Sequence, residues 1–270
     1  MSAPSTGTGP STDAPAVSRQ LANGVATLTL NRPERFNTLS EAMLGALSEA
    51  LNDLRDEPSL RCVVIAASGR AFCTGHDLKE MQDHRDRAYY QDLFKRCGRL
   101  MQSIVDFPLP VIARVHGVAT AAGCQLVASC DMAVAARSAR FAVSGINVGL
   151  FCATPAVALS RDIGRKRALE MLLTGEFISA ETALEWGLVN RVADDEQLDD
   201  AVEALTATLA AKSALTLSTG KAMFRHQAEL PLEQAYAFAA DTMAENMLAE
   251  DVTEGISAFF AKRPAEWRHR

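Results

Sequence analysis

Several things are scarce in this 270-residue chain. No apolar run approaches the roughly 20 residues that cross a bilayer as a helix, so a membrane-inserted protein is not expected. Positive charge is not in excess: 27 Lys and Arg against 33 Asp and Glu give a formal charge of -6. That balance argues against nucleic acid or an anionic membrane as the main partner. The six cysteines, Cys62, Cys73, Cys97, Cys124, Cys130 and Cys152, lack paired metal-ligand spacing and sit mostly in apolar runs. Free thiols are expected, with no metal centre and no disulfide framework. Residues 1–17 are rich in Ser, Thr, Pro, Gly and Ala and hold no apolar h-region and no arginine before Arg19. They predict a disordered tail with neither a secretory signal nor a transit peptide, and a cytoplasmic protein.

What is present is a folded core of strands alternating with helices. Val25–Leu30, Cys62–Ala67, Val111–Val115 and Met132–Ala136 are short, apolar and mostly β-branched or small, as buried strands are. Ser40 precedes a helix whose Met43, Leu44, Leu47, Leu51 and Leu54 share one face. From Leu198 onward the pattern is helical throughout. The division predicts an α/β core over 18–197 and an all-helical C-terminal region over 198–270.

Two turns stand out. Gly117 to Gly123, almost without side-chain bulk, joins the strand ending at Val115 to the helix running through Gln125 to Ser129. Such a turn either lets the helix pack tightly or brings free N–H groups and a positive dipole end against a ligand. Upstream, Gly75-His76-Asp77-Leu78 follows the strand Cys62–Ala67, with Asp77 placed to cap the next helix. Two backbone donors aimed at one carbonyl oxygen make an oxyanion hole.

The segments Asn31 to Leu39, Ala71 to Glu80, Gly117 to Asp131, Leu173 to Ala180 running on to Trp186–Val192, and Glu254 to Arg263 resemble, in order, the signature segments of the enoyl-CoA hydratase/isomerase (crotonase) superfamily. The resemblance covers nearly the whole chain beyond about residue 17. It implies a spiral of ββα units, C-terminal helices that assemble trimers or dimers of trimers, and binding of an acyl-CoA thioester in fatty-acid or related metabolism. No cofactor is implied apart from the coenzyme A carried by the substrate. The oxyanion donors it assigns are the amides of His76 and Ala122. Arg35 and Phe36, in the loop at the nucleotide end of coenzyme A, and Gly75, Asp77, Leu78, Gly123 and Lys262 are its substrate-binding positions.

One departure bears on the chemistry. Hydratases of that family position and deprotonate water with two glutamates, and here those positions hold Gln125 and Gly145. An amide orients water but neither gains nor loses a proton near neutrality, and glycine offers nothing. The chain therefore resembles the branch of enoyl-CoA hydratase domain-containing proteins that lack these glutamates. Three readings stand: an acyl-CoA isomerase, decarboxylase or thioester hydrolase whose protons come from His76, Asp77, Cys124 or Ser144; a weak hydratase; and a non-catalytic CoA-thioester binder. On the hydratase reading, glutamates placed at 125 and 145 restore the proton carriers and raise turnover of crotonyl-CoA.

Overall fold

The computed structural model describes residues 14–270. The described elements, in chain order, are β1 (Val17–Ala22), β2 (Val25–Leu30), α1 (Glu41–Leu54), β3 (Cys62–Ala67), β4 (Ala71–Cys73), α2 (Leu78–Asp83), α3 (Arg87–Val105), β5 (Val111–Val115), β6 (Val118–Thr120), α4 (Ala122–Ser129), β7 (Met132–Ala136), β8 (Arg140–Ala142), α5 (Ala153–Asp162) and α6 (Arg165–Thr174). Then come β9 (Ile178–Ser179), α7 (Ala180–Trp186), β10 (Arg191–Ala193), α8 (Leu198–Ala210), α9 (Ala214–Gln227), α10 (Leu232–Met247) and α11 (Glu250–Ala261).

Six strands form one sheet in the order β1-β2-β3-β5-β7-β10, and four form a second in the order β4-β6-β8-β9. In each of the pairs β3/β4, β5/β6 and β7/β8 the first strand enters the large sheet and the second the small one, before the chain turns into a helix. Within the sheets these successive units pair in parallel, β3 to β5 to β7 and β4 to β6 to β8. This is the ββα spiral expected from the resemblance.

Both faces of the large sheet are covered at its centre, which is why β3 and β7 read as continuous apolar runs. Alternation along β3 and β5 sends Val63, Ile65, Val111, Ala113 and Val115 into the main core with the apolar face of α1. Cys62, Val64 and Ile112 point the other way, against Leu198, Val202 and Leu205 of α8. Ser40 caps α1 by accepting from the Met43 amide at 3.2 Å.

The sequence-based bounds of β2, β3, β5 and β7 match; of the small sheet the sequence pattern marks only a strand beginning at Phe141, which lies in β8, and β4, β6 and β9 leave no signal. The strands of that sheet are two or three residues long, too short to show a period. One of them, β6, lies inside the glycine-bounded turn at 117–123. The charged and aromatic stretch from Arg87 runs as the long helix α3 to Val105. Residues 1–13 of the expected tail lie outside the described residues, and its last residue, Val17, belongs to β1, paired with Leu30. No described helix is long and apolar enough to cross a membrane.

The C-terminal helices expose much apolar surface. Phe224, Tyr236, Met243, Leu248, Phe259 and Phe260 are each at least 69% exposed. Lys221 of α9 anchors the region to the core: its ammonium lies 2.6 Å from the Asp131 carboxylate and donates to the carbonyls of Ile104 and Leu109.

Candidate functional site

The first of the two turns leaves β4 at Cys73. Gly75 sits at φ 88°, a conformation that favours glycine, and its carbonyl accepts from the Leu39 amide at 2.8 Å. His76 then pairs with Leu39 in a strand-like bridge. Asp77 caps α2, accepting from the amides of Lys79 at 2.9 Å and Glu80 at 3.3 Å. Between bridge and cap, the His76 peptide has no freedom to turn. The loop bearing Arg35 and Phe36 is held against β4 by Asn37, fully buried, whose amide nitrogen donates to the carbonyls of Ser68 and Ala71.

The second turn leaves β6 at Thr120. Ala121 donates to the Ala142 carbonyl at 3.0 Å and adopts φ 52°, ψ -121°, a region that a residue with a Cβ enters at a cost of about 1–3 kcal/mol. That conformation swings the chain directly into α4, whose first residue is Ala122. Gly123 follows because nothing larger fits: a Cβ there would lie 2.0 Å from the Cys73 carbonyl oxygen. The two turns are in contact, since a Cβ on Gly75 would lie 2.9 Å from the Ala121 Cβ and 3.3 Å from the Ala122 nitrogen.

His76 and Ala122 line one cavity of about 280 Å³. Neither amide donates to another group among the described residues. The rest of the wall is mainly apolar, with Leu78 and Phe94 on one side and the loop from Ser144 to Pro155 on the other. Ser144 Oγ lies 2.8 Å from Thr120 Oγ1. No Asp or Glu lines the cavity among the described residues.

The remaining sequence-selected residues divide. Gln125 lies outside the lining, 4% exposed on α4, with its side-chain oxygen buried and without a partner. Gly145 does line the cavity, but a Cβ there would meet Cys152 Sγ at 2.6 Å and the Leu150 carbonyl oxygen at 2.7 Å. The loop folds back on itself, with the Leu150 amide donating to the Gly145 carbonyl, and fills the space a larger side chain would need. For glutamates at 125 and 145 to raise hydration, as the sequence reading expects, this loop would have to move aside at 145. Arg35 pairs with Asp77 at 3.3 Å, and Phe36, at φ 52°, stacks beneath Arg70. Lys262 ends α11 in the left-handed region and does not line the cavity of its own chain.

Of the aromatic residues at 89, 90 and 94, only Phe94 reaches the cavity. Sequence reasoning did not single out Cys152, seven residues beyond Gly145 and brought back beside it by the loop. Burial pushes the Cys152 thiol up and the Cys124 thiol up to about 12, so both stay protonated near neutrality. Burial lowers the pKa of His76 below its ordinary value, which keeps its imidazole neutral.

The sequence profile of the enoyl-CoA hydratase/isomerase family matches residues 20–270. A solved structure of an enoyl-CoA hydratase from Mycobacterium smegmatis is 58% identical and superposes with a TM-score of 0.92, covering 94% of this chain and 99% of that one. The solved structure of human enoyl-CoA hydratase domain-containing protein 3 is 43% identical, with a TM-score of 0.91, and is covered in full by 93% of this chain. The rat enoyl-CoA hydratase domain-containing protein 3, named as mitochondrial, is 44% identical over 97% of this chain and 87% of its own length. That name overturns the cytoplasmic expectation, which rested on the composition of the first residues.

Proposed function

Because the chain belongs to the enoyl-CoA hydratase/isomerase family, we propose that it binds acyl-CoA thioesters and stabilises an enolate formed from them, with little or no hydration of enoyl-CoA. The carrying observation is that His76 and Ala122, whose amides are unengaged among the described residues, line one cavity on turns that touch. Donors fixed before the reaction are worth about 10²- to 10³-fold each in rate, because no dipole has to reorganise as charge develops on oxygen. In this reading Gly75 and Gly123 let the two turns meet, Leu78 contributes to the acyl wall, and Arg35, Phe36, Asp77 and Lys262 belong to the coenzyme A side. No cofactor is needed beyond the coenzyme A of the substrate.

Hydration is disfavoured by the wall itself. A glutamate pair that moves the protons of water typically contributes about 10²- to 10⁴-fold per group, and no carboxylate lines this cavity. Isomerisation or another enolate reaction is therefore the better candidate than addition of water. Titration calorimetry with acyl-CoA esters of several chain lengths, beside a turnover screen over enoyl-, dienoyl- and malonyl-type esters, tests the reading. Binding in the micromolar range is expected, and absence of heat with every ester at high micromolar concentration would sink it.

The exposed apolar residues of α9 to α11 support a homo-oligomer, a trimer or a dimer of trimers, because so much apolar surface on one small helical region calls for a cover. Sedimentation should find a species several times heavier than the 29.0 kDa chain, and a clean monomer at working concentration would contradict the assembly.

A further inference from the structure

Resting on the acyl-CoA reading above, we propose that His76 is the proton carrier of this site, its Nε2 taking a proton from the α-carbon of the bound thioester. The candidates on the cavity wall are few. The hydroxyls of Ser144, Thr74 and Thr154 do not ionise near neutrality, and the Cys152 thiol is held protonated by burial. Asp77, the other acid–base group adjacent in sequence, is engaged by two helix amides and by Arg35 and does not line the cavity.

The imidazole is arranged as a base would be. Its Nδ1 lies 3.3 Å from the Leu39 carbonyl oxygen, which only accepts, so the ring proton belongs on Nδ1 and Nε2 carries the bare lone pair. The Leu39 carbonyl is itself fixed, because Leu39 pairs with the Gly75–His76 stretch through its own amide. Nε2 is buried and has no partner among the described residues, an orphaned acceptor of the kind that calls for an explanation. Phe94 meets the ring edge-on, with centroids 5.5 Å apart, and both residues line the cavity.

For the step to run, the α-carbon of a thioester whose oxygen is held by the His76 amide must meet the imidazole of that same residue. The Nε2 lone pair takes the α-proton, and the C–H electrons become the carbon–carbon double bond of the enolate. The negative charge on oxygen falls on the amides of His76 and Ala122. The imidazolium then returns its proton to the α-carbon, or to the γ-carbon when the substrate is a 3-enoyl thioester, which moves the double bond into conjugation. No oxidant, reductant or added water enters the balance.

Exchange of the α-hydrogens of butyryl-CoA in D2O, read by mass spectrometry with binding measured in parallel, tests the step. The wild type should incorporate deuterium at a rate that is flat through neutral pH and falls only at acid pH, below the usual histidine range, because the neutral imidazole is the active form and burial lowers its pKa. His76→Asn, whose amide keeps a donor at the position of Nδ1 toward Leu39 but offers no basic lone pair, and His76→Phe should each lose about 10²- to 10⁴-fold in exchange while affinity for butyryl-CoA changes by less than about threefold. Exchange that survives in both variants, or a wild type that binds the ester without exchanging it, overturns the assignment. A wild type that binds no acyl-CoA overturns the acyl-CoA reading instead, and the proton carrier with it.

Discussion

Gly123→Ala is expected to destabilise the protein and abolish acyl-CoA binding together. The added Cβ would sit 2.0 Å from the Cys73 carbonyl oxygen, a backbone atom with no rotamer in which to retreat, so α4 must lift from β4. Overpacking of this kind costs about 1–3 kcal/mol and occasionally more. At about 3 kcal/mol the melting temperature should fall by roughly 6–12 °C, taking about 2–4 °C per kcal/mol for a chain near this size. The functional loss is larger than the thermal one because the displaced element begins with Ala122, which touches the Gly75 turn. Gly45→Ala in α1 and Gly98→Ala in α3 serve as controls: a Cβ at either meets nothing within 4 Å, and each should stabilise by about 0.4–1 kcal/mol. Thermal melts of the three variants beside calorimetry with one acyl-CoA decide the matter. A Gly123→Ala protein with wild-type stability and affinity would show that the two turns do not need their close approach.

The second expected result is a failed rescue. Gln125→Glu together with Gly145→Glu should give a less stable protein and no gain in hydration of crotonyl-CoA, followed by loss of the conjugated absorbance in wild type, both single variants and the double. A carboxylate at 125 would inherit a buried site whose oxygen already lacks a donor, so its pKa should rise and its neutral form persist. At 145 the new side chain would meet Cys152 Sγ and, less forgivingly, the Leu150 carbonyl, at a cost of about 1–3 kcal/mol. Wild-type turnover of tens per second, ordinary for an enzyme, would mean that another group already activates water. Rescue by the double variant would mean that the loop from Ser144 to Cys152 yields more easily than its backbone contacts suggest.

Much of the fold was legible because the information is local. The strands from Cys62 and Met132 are buried on both faces nearly throughout, which demands an apolar run that can be read directly, and the strand from Val25 shows the alternation of a half-buried one. Ser40 and Asp77 announce helix starts because a capping side chain acts on amides two or three residues ahead. The C-terminal helices were visible from their period alone. Beyond the strand at Phe141 the small sheet was not, since its strands are held by neighbours from other turns of the spiral rather than by a pattern of their own.

For the site, the sequence alone determined the residue types: glycines at 75 and 123 where backbones must meet, and no carboxylate at 125 or 145. Only the tertiary structure decided what those types mean. Whether Gly145 is an empty slot or a filled one depends on Cys152 and Leu150 folding back onto it. Whether Asp77 and His76 are both available depends on which of them the α2 cap and the Leu39 bridge engage. The physical reason is one of range. Capping, turns and burial patterns act between residues a few positions apart and leave a trace in the string of letters, whereas occupancy of a volume depends on how a loop folds back, as at Gly145, or on which strand lies alongside, as Cys73 does at Gly123, and no periodic pattern records it.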